Sequence, residues 1–409
     1  MLTPLPRSSS AERPALLIAA MSGRALAQSA RRAGLEPLVA DFFADADTQT
    51  LAHACRKLPG NTSHGMSWKG LAAALDALAE AAPSPIFGLV YGSGFEDRPN
   101  LLTRIAQRWP LLGNDAATVE RIKAPESFFA TLDRLGIKHP LTTTKPRPRG
   151  AGWLAKRTGG AGGSHIVASR LKTGVRNVYY QERVEGCAVS ALFVANGRDA
   201  QVLGFSEQWT APSKRSLWRY GGAVRPAALP AGPARAMASA VKRVARAFEL
   251  KGLGSADFMV SDEEPFLLEI NPRPGATLDI FDSDVTPLLK LNLDAVLHGR
   301  LPRQGLKFPD AMASAIVYAK SGVAVPSRVA WPDWVADRPN SSQWIDKNRP
   351  ICTVWARAST KARAKRLVEA RISKVLAGFR SASRGKEGEQ KRGDRRDAPY
   401  AVAERQRQG

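Results

Sequence analysis

Ser255-Ala256-Asp257-Phe258-Met259-Val260, Ser261-Asp262-Glu263-Glu264-Pro265 and Phe266-Leu267-Leu268-Glu269-Ile270-Asn271 follow one another without a break. Two largely apolar runs flank a polar turn of five residues, which predicts an antiparallel hairpin. If Val260 pairs with Phe266, Asp257 falls opposite Glu269. Directly opposed side chains stand about 4.5–5.5 Å apart at Cβ. Two carboxylates that close repel, and strands avoid the arrangement unless a cation lies between them. Asn271, two residues on, shares the face of Glu269 and offers a third oxygen. A few hard side-chain oxygens suit Mg²⁺ or Mn²⁺, which also takes oxygens from a substrate phosphate. Arg273 follows immediately, a fixed cation where phosphate charge would develop. Glu263 and Glu264 fit an ordinary solvated turn. Asp257 and Glu269, set inside apolar strands, do not.

About a hundred residues upstream, Trp153-Leu154-Ala155-Lys156-Arg157-Thr158-Gly159-Gly160-Ala161-Gly162-Gly163-Ser164 puts a lysine at a strand end before a glycine-rich loop. Gly159, Gly160, Gly162 and Gly163 let successive backbone N–H groups converge on anionic oxygen, and Lys156 adds a point charge. No GxxxxGK[ST] occurs, so this is not a Walker A loop, and no GxGxxG follows the first strand, so a dinucleotide role is poorly supported.

Asp257 followed by Glu269-Ile270-Asn271-Pro272-Arg273-Pro274-Gly275 resembles the metal-binding segment of the ATP-grasp superfamily, which includes biotin carboxylase, carbamoyl-phosphate synthase and D-alanine–D-alanine ligase. The resemblance extends over about residues 15–360. It is specific in the hairpin and weaker elsewhere, and the group most resembled is the predicted carboligases related to biotin carboxylase. It implies an α/β (α+β) fold of ATP-grasp type and the cofactors ATP and Mg²⁺ (or Mn²⁺). Asp257, Glu269 and Asn271 would hold the metal, and Arg273 and Lys156 would be catalytic. Lys123 and Lys156 would bind nucleotide, with Gly159, Gly160, Gly162 and Gly163 as a phosphate-covering lid. The stretch Tyr179-Tyr180-Gln181-Glu182-Arg183-Val184-Glu185-Gly186 resembles the linker that holds adenine. There Gln181 joins the cofactor-binding set, Glu182 would accept from the adenine amino group, the Val184 backbone would touch the ring edge and Glu185 would take the ribose hydroxyls. Met259 and Leu268 would form the apolar floor. The implied activity is a carboxylate–amine ligase working through an acyl phosphate, such as one adding glutamate to a cofactor precursor. Trp209, Arg219, Tyr220 and Gly221-Gly222 mark a substrate-facing loop, in which Arg219 suits a substrate carboxylate. A biotin-type carboxylase is one alternative, although no Met-Lys dipeptide occurs. A non-enzymatic nucleotide-binding protein with a basic interaction tail is the other.

The chain of 409 residues is long enough for two or three domains. The expected division is a disordered 1–14, a pre-ATP-grasp α/β domain over 15–114, the ATP-grasp domain over 115–310 with its lid lobe at about 140–190, a β-rich segment over 311–376 and a basic disordered tail over 377–409. Within it, 115–148 reads as mostly helical, Tyr179–Ala195 as strand-like throughout, and Ala234–Leu250 as a helix. The net charge of +23 is concentrated toward the end, where 356–409 hold 16 Lys/Arg against 6 Asp/Glu. A nucleic-acid role would need a binding motif or a basic stripe interleaved with aromatics, and neither is present. The apolar run Ala15–Met21 between Arg13-Pro14 and Ala25-Leu26-Ala27 mimics a signal peptide but is short and cut by Arg24, so a buried first strand is expected. No segment reaches the roughly 18 apolar residues of a membrane span. Cys55, Cys187 and Cys352 are scattered and read as reduced thiols of a cytoplasmic protein. The expected partners are ATP and small-molecule carboxylate and amine substrates, with a homodimer allowed.

Overall fold

The computed structural model describes residues 13–145, 152–168, 177–214 and 216–393, with side chains to 379. Four sheets organise these residues. The first is parallel, ordered β3-β2-β1-β4, from β1 (Ala15–Ala19), β2 (Glu36–Asp41), β3 (Ala54–Lys57) and β4 (Ile86–Tyr91). β1 is fully buried, as its unbroken apolar run requires of a central parallel strand. Helices α1 (Arg24–Arg32), α2 (Ala46–Leu51), α3 (Trp68–Glu80) and α4 (Asn100–Ala106) accompany it. In α3, Leu71, Ala74, Leu75 and Leu78 recur at helical spacing and form the buried face, while Ser67 caps the first turn by accepting from the Gly70 N–H at 3.2 Å. Each such leucine contributes about 1.5–3 kcal/mol by leaving water.

Helices α5 (Ala116–Lys123) and α6 (Pro125–Arg134) lead into a small antiparallel sheet ordered β5-β8-β6-β7. It consists of β5 (Thr142–Thr143), β6 (Trp153–Arg157), β7 (Ile166–Ala168) and β8 (Val178–Glu182). Helical structure after 115 therefore ends at Arg134, and the expected connector contributes a strand. The strand-like stretch from Tyr179 to Ala195 is two strands in different sheets, because the polar Arg183–Gly186 linker interrupts it.

The largest sheet is ordered β13-β12-β9-β10-β11-β14-β18-β16. Its strands are β9 (Cys187–Asn196), β10 (Ala200–Thr210), β11 (Tyr220–Arg225), β12 (Lys251–Ser261), β13 (Glu264–Asn271), β14 (Ala311–Tyr318), β16 (Val335–Ala336) and β18 (Pro350–Ala358). β15 (Val323–Ala324) and β17 (Trp344–Ile345) pair separately. Helices α7 (Ala231–Ala247), α8 (Leu278–Phe281) and α9 (Leu288–His298) cover its faces. The 311–376 stretch thus extends the central sheet through β11–β14 pairing. The last helix, α10, runs over Lys361–Gly393 rather than ending at 376. Its later turns mix Arg, Lys, Glu and Gln, which are good helix formers, with Gly378, Gly385, Gly388 and Gly393, which are poor ones. Residues 1–12 and 394–409, parts of the termini expected to be disordered, lie outside the described residues.

The parallel sheet meets the C-terminal segment through charge. Arg24, buried, donates to Asp279 at 2.5 and 2.7 Å and to Asp337 at 3.0 and 3.2 Å. Asp45 lies buried nearby, and its side chain does not cap α2. Burial, followed by the charges of Asp337, Asp41 and Asp47, pushes the Asp45 carboxyl up to about 9, with Arg24 opposing. A carboxyl raised on folding takes up a proton as the chain folds, so its contribution to stability is lost as pH rises from the ordinary range near 4 through 9. Asp45→Asn removes the ionisation. The variant should melt several degrees above the parent at pH 8 and close to it at pH 5, followed by circular dichroism. Equal melting temperatures at pH 8 would refute the assignment.

Candidate active site

The hairpin forms with a two-residue turn, Asp262-Glu263, at φ 47° and 64°. Both lie in the left-handed region that a type I′ turn demands and that Asp tolerates better than most residues. Glu264 therefore belongs to β13 and pairs with Ser261, one register step away from the expected pairing, so that Val260 faces Pro265. Leu268 then bulges between the pairs Phe258–Leu267 and Asp257–Glu269 and restores the two carboxylates to opposition. The bulge also brings Leu268 and Glu269 to the wall of one cleft.

Three neighbours fix the carboxylates. Asp257 accepts from Ser190 Oγ at 2.6 Å, directly across β9, and from Asn271 Nδ2 at 3.0 Å. Lys123, at the end of α5, donates to Asn271 Oδ1 at 3.2 Å and stands 3.6 Å from Glu269. Burial and then the charge of Glu269 push the Asp257 carboxyl up to about 6. Burial raises Glu269 too, but Lys123, His165, Lys156 and Arg273 outweigh it and hold that carboxyl down to about 2. The pair is thus split, as two neighbouring carboxylates with unequal cation neighbours must be. The donor set, two carboxylates and an amide oxygen on one strand face, fits a small hard divalent cation.

Lys156, on β6, is buried and donates to Gln181 Oε1 at 2.6 Å. Burial lowers its ammonium below the usual lysine range, against the attraction of Glu269 and Asp257. The cleft between hairpin and small sheet is lined by Ile122, Phe128, Phe129, Tyr179, Leu268 and Ile270, with Lys123, Arg157, His165 and Glu269 at its polar end. It is a narrow, mostly apolar slot with charged groups in its lining. Met259, paired with Phe266, does not line it. Glu182 and Glu185 are exposed at the end of β8 and in the linker, Glu185 pairing with Arg183 at 3.3 Å, and Val184 is half-buried beside them. Gln181 is buried and serves Lys156.

Three residues of this centre escaped sequence reading. Glu96, buried, accepts from Arg273 Nε at 2.7 Å through Oε1 and from the N–H groups of Gly94 and Phe95 through Oε2. His165 sits beside Gly160, and burial pushes its ring down to about 4, which leaves it neutral at pH 7. Ser190 is the third. Only an acid beside a Gly-rich strand end hinted at Glu96, and only the end of the glycine loop hinted at His165.

The glycine loop is closed. Gly159, at φ 69°, lies against Glu96 and Asp97, where a Cβ would meet the Glu96 carbonyl at 2.5 Å. Gly163, at φ 72°, lies against Trp218, whose carbonyl oxygen would stand 1.9 Å from a Cβ. Gly162 O accepts from the Tyr220 N–H at 3.0 Å. Gly163→Ala should hold the loop off the site and lower kcat of the proposed ligase about tenfold or more, while the melting temperature changes little. An unchanged kcat would show that closure does not limit turnover.

Residues 127–277, which carry the acid hairpin, Lys156 and the glycine loop, match the model of the ATP-grasp domain. Among proteins of known sequence the chain is similar to MJ0776 of Methanocaldococcus jannaschii, 29% identical over 119 residues, which are 29% of this chain and 30% of that protein. The match thus spans less than a third of that relative's length. Biotin carboxylase of Campylobacter jejuni, solved with an ATP analogue, superposes at a TM-score of 0.67 with 14% identity, covering 86% of this chain and 89% of that one. L-amino acid ligase from Bacillus licheniformis superposes at 0.65 with 13% identity, covering 89% and 98%. At such identities these likenesses show the fold. No helix among the described residues is long and apolar enough to cross a membrane.

Proposed function

We propose that the chain is an ATP-dependent ligase that phosphorylates a carboxylate and passes the acyl group to an amine. The observation that carries this reading is the convergence of Asp257, Glu269 and Asn271 with Lys123, Lys156 and Arg273 at the charged end of the apolar slot. The slot suits a flat purine, and the charged end suits its phosphates. Asp257, Glu269 and Asn271 would hold Mg²⁺, which when bound neutralises phosphate charge and polarises the transferring group. Lys123 and Lys156 balance the phosphate oxygens, and Arg273 supplies fixed charge where the acyl phosphate forms. A carboxylate oxygen takes the γ-phosphoryl group of ATP as the bond to the bridging oxygen breaks and ADP leaves. The amine then forms its bond to the acyl carbon, inorganic phosphate leaves with the carboxylate oxygen, and the amine's proton goes to solvent or phosphate. The closed glycine loop excludes water, which would otherwise hydrolyse the acyl phosphate. Glutamate addition to a cofactor precursor is one reaction of this class.

The test is an ADP-release screen over paired carboxylates and amines. Release that needs both members of a pair supports a ligase. Release with bicarbonate and no amine would overturn amide formation in favour of the carboxylase reading, to which the shared fold with biotin carboxylase lends support.

A further inference from the structure

A large cavity lies beyond the lid, at the ends of β10, β11 and β14. Residues 211–214 and Arg219 form one wall, and Trp209, Tyr318, Lys320 and Lys347 contribute to the rest. It holds about 1480 Å³ including its open mouth, far more than the nucleotide slot. Its charge is one-sided. Among the described residues Lys214, Arg219, Lys320 and Lys347 line it, and no Asp or Glu does. None of these four cations has a carboxylate partner among the described residues. The groove beside α1 is different: there Arg24 is tied to Asp279 and Asp337, and Arg32 to Asp282 and Asp284.

Arg219 is also held in place. Its guanidinium lies 3.5 Å from the Tyr318 ring centre and donates to the carbonyls of Ala211 at 2.9 Å and Asn348 at 3.0 Å. Two carbonyls orient the fork without neutralising it, and the aromatic face beneath limits its motion. Trp209 adds a second aromatic surface. The loop carrying Arg219 touches the lid on its other side, since Gly163 abuts Trp218 and Gly162 receives the Tyr220 N–H. The hydroxyl of Tyr220 is buried without a hydrogen-bond partner among the described residues, and burial followed by the charge of Asp279 pushes it up. One segment thus joins cavity and lid.

We propose that this cavity seats one substrate of the ligation, and that this substrate is a polyanion carrying a flat apolar group. Uncompensated cations around an open mouth draw in several carboxylates or phosphates, the fixed guanidinium donates to one of them bidentately, and the apolar lining from Ile316, Ile372 and Leu376 takes the ring. A small neutral amine or bicarbonate would leave the four charges unanswered. The inference rests on the ligase reading for the word substrate, but its test does not require turnover.

Equilibrium dialysis in the presence of ADP and Mg²⁺ would use three probes: N-benzoyl-triglutamate, its fully amidated uncharged form, and 1-naphthyl phosphate. At least one anion should bind tenfold or more tightly than the uncharged form. Lys320→Ala with Lys347→Ala, both at exposed positions, should weaken that binding at least tenfold and leave the affinity for a fluorescent ATP analogue unchanged. Which anion binds tells carboxylate from phosphate. Equal binding of the uncharged form, no binding of either anion, or parent-like binding by the double variant overturns the proposal. Anion binding without any amine-dependent ADP release would instead overturn the ligase reading and leave the cavity's ligand class standing.

Discussion

Asp257→Asn combined with Glu269→Gln abolishes the proposed ADP release, by about a thousandfold or more, since removing even one preorganised electrostatic group costs about 10²–10³ in kcat. The substitutions keep shape while removing both charges from the donor set, and the Ser190 hydroxyl, which can accept as well as donate, can meet the new amide at position 257. The fold should survive. With burial and the charge of Glu269 pushing Asp257 up to about 6, its ionised form is disfavoured in the folded chain. Above that pH, Asp257→Asn alone should therefore raise the melting temperature in metal-free buffer. Lost turnover in the single Asp257→Asn chain, which should melt no lower than the parent, separates chemistry from stability, whereas Glu269→Gln gives up a carboxylate that its cation neighbours hold ionised and should melt lower. Turnover within tenfold of the parent would show that the hairpin is not the reactive centre.

Glu96→Gln should lower kcat about 10–100-fold with little change in ATP affinity. Glu96 holds Arg273 from the far side, across 177 residues of sequence, and is itself aimed by two backbone N–H groups. Both oxygens face donors, so an amide must turn its NH₂ toward one of them and lose that bond. Arg273 would then keep its charge but not its aim, which affects transfer more than nucleotide binding. Glu96→Ala goes further. It leaves a buried guanidinium without its acid and should cost about 3–5 kcal/mol of stability. Chemical denaturation reads the second effect, and a kcat against KM comparison reads the first. If Glu96→Gln changes only KM, the residue serves binding and not the aim of Arg273.

The hairpin was legible because its meaning is local. Carboxylates inside apolar strands violate the usual pattern, and period-two spacing brings Asp257, Glu269 and Asn271 to one face whatever the rest of the chain does. The register at the tip was misjudged by one residue because a two-residue turn and a bulge offset each other, which strand periodicity cannot reveal. The glycine loop was legible from composition, but its resting place against Glu96 and Trp218 was not. Glu96, Ser190 and His165 stayed hidden for one reason: each meets its partner through tertiary structure, and none lies in a pattern that repeats. The linker after β8 read as continuous strand because Tyr179–Ala195 is apolar on both sides of it, and apolar runs do not say which sheet they join. The continuation of α10 past 376 has no clear signal in composition, since Gly378, Gly385 and Gly388 weigh against a helix.

The joining of β14 to β11 has a bearing on how the chain can be divided. A fragment cut to the matched 127–277 stretch would end with β11 as a bare edge, its N–H and C=O groups open to any passing strand. The same cut would strip the apolar surface over Val224 that Ala313, Ala315 and Val354 now cover. Sequence draws a border there, but the sheet crosses it. The reaction centre and the last third of the chain therefore share a scaffold, and strain or loosening in one can be felt in the other without a dedicated hinge between them.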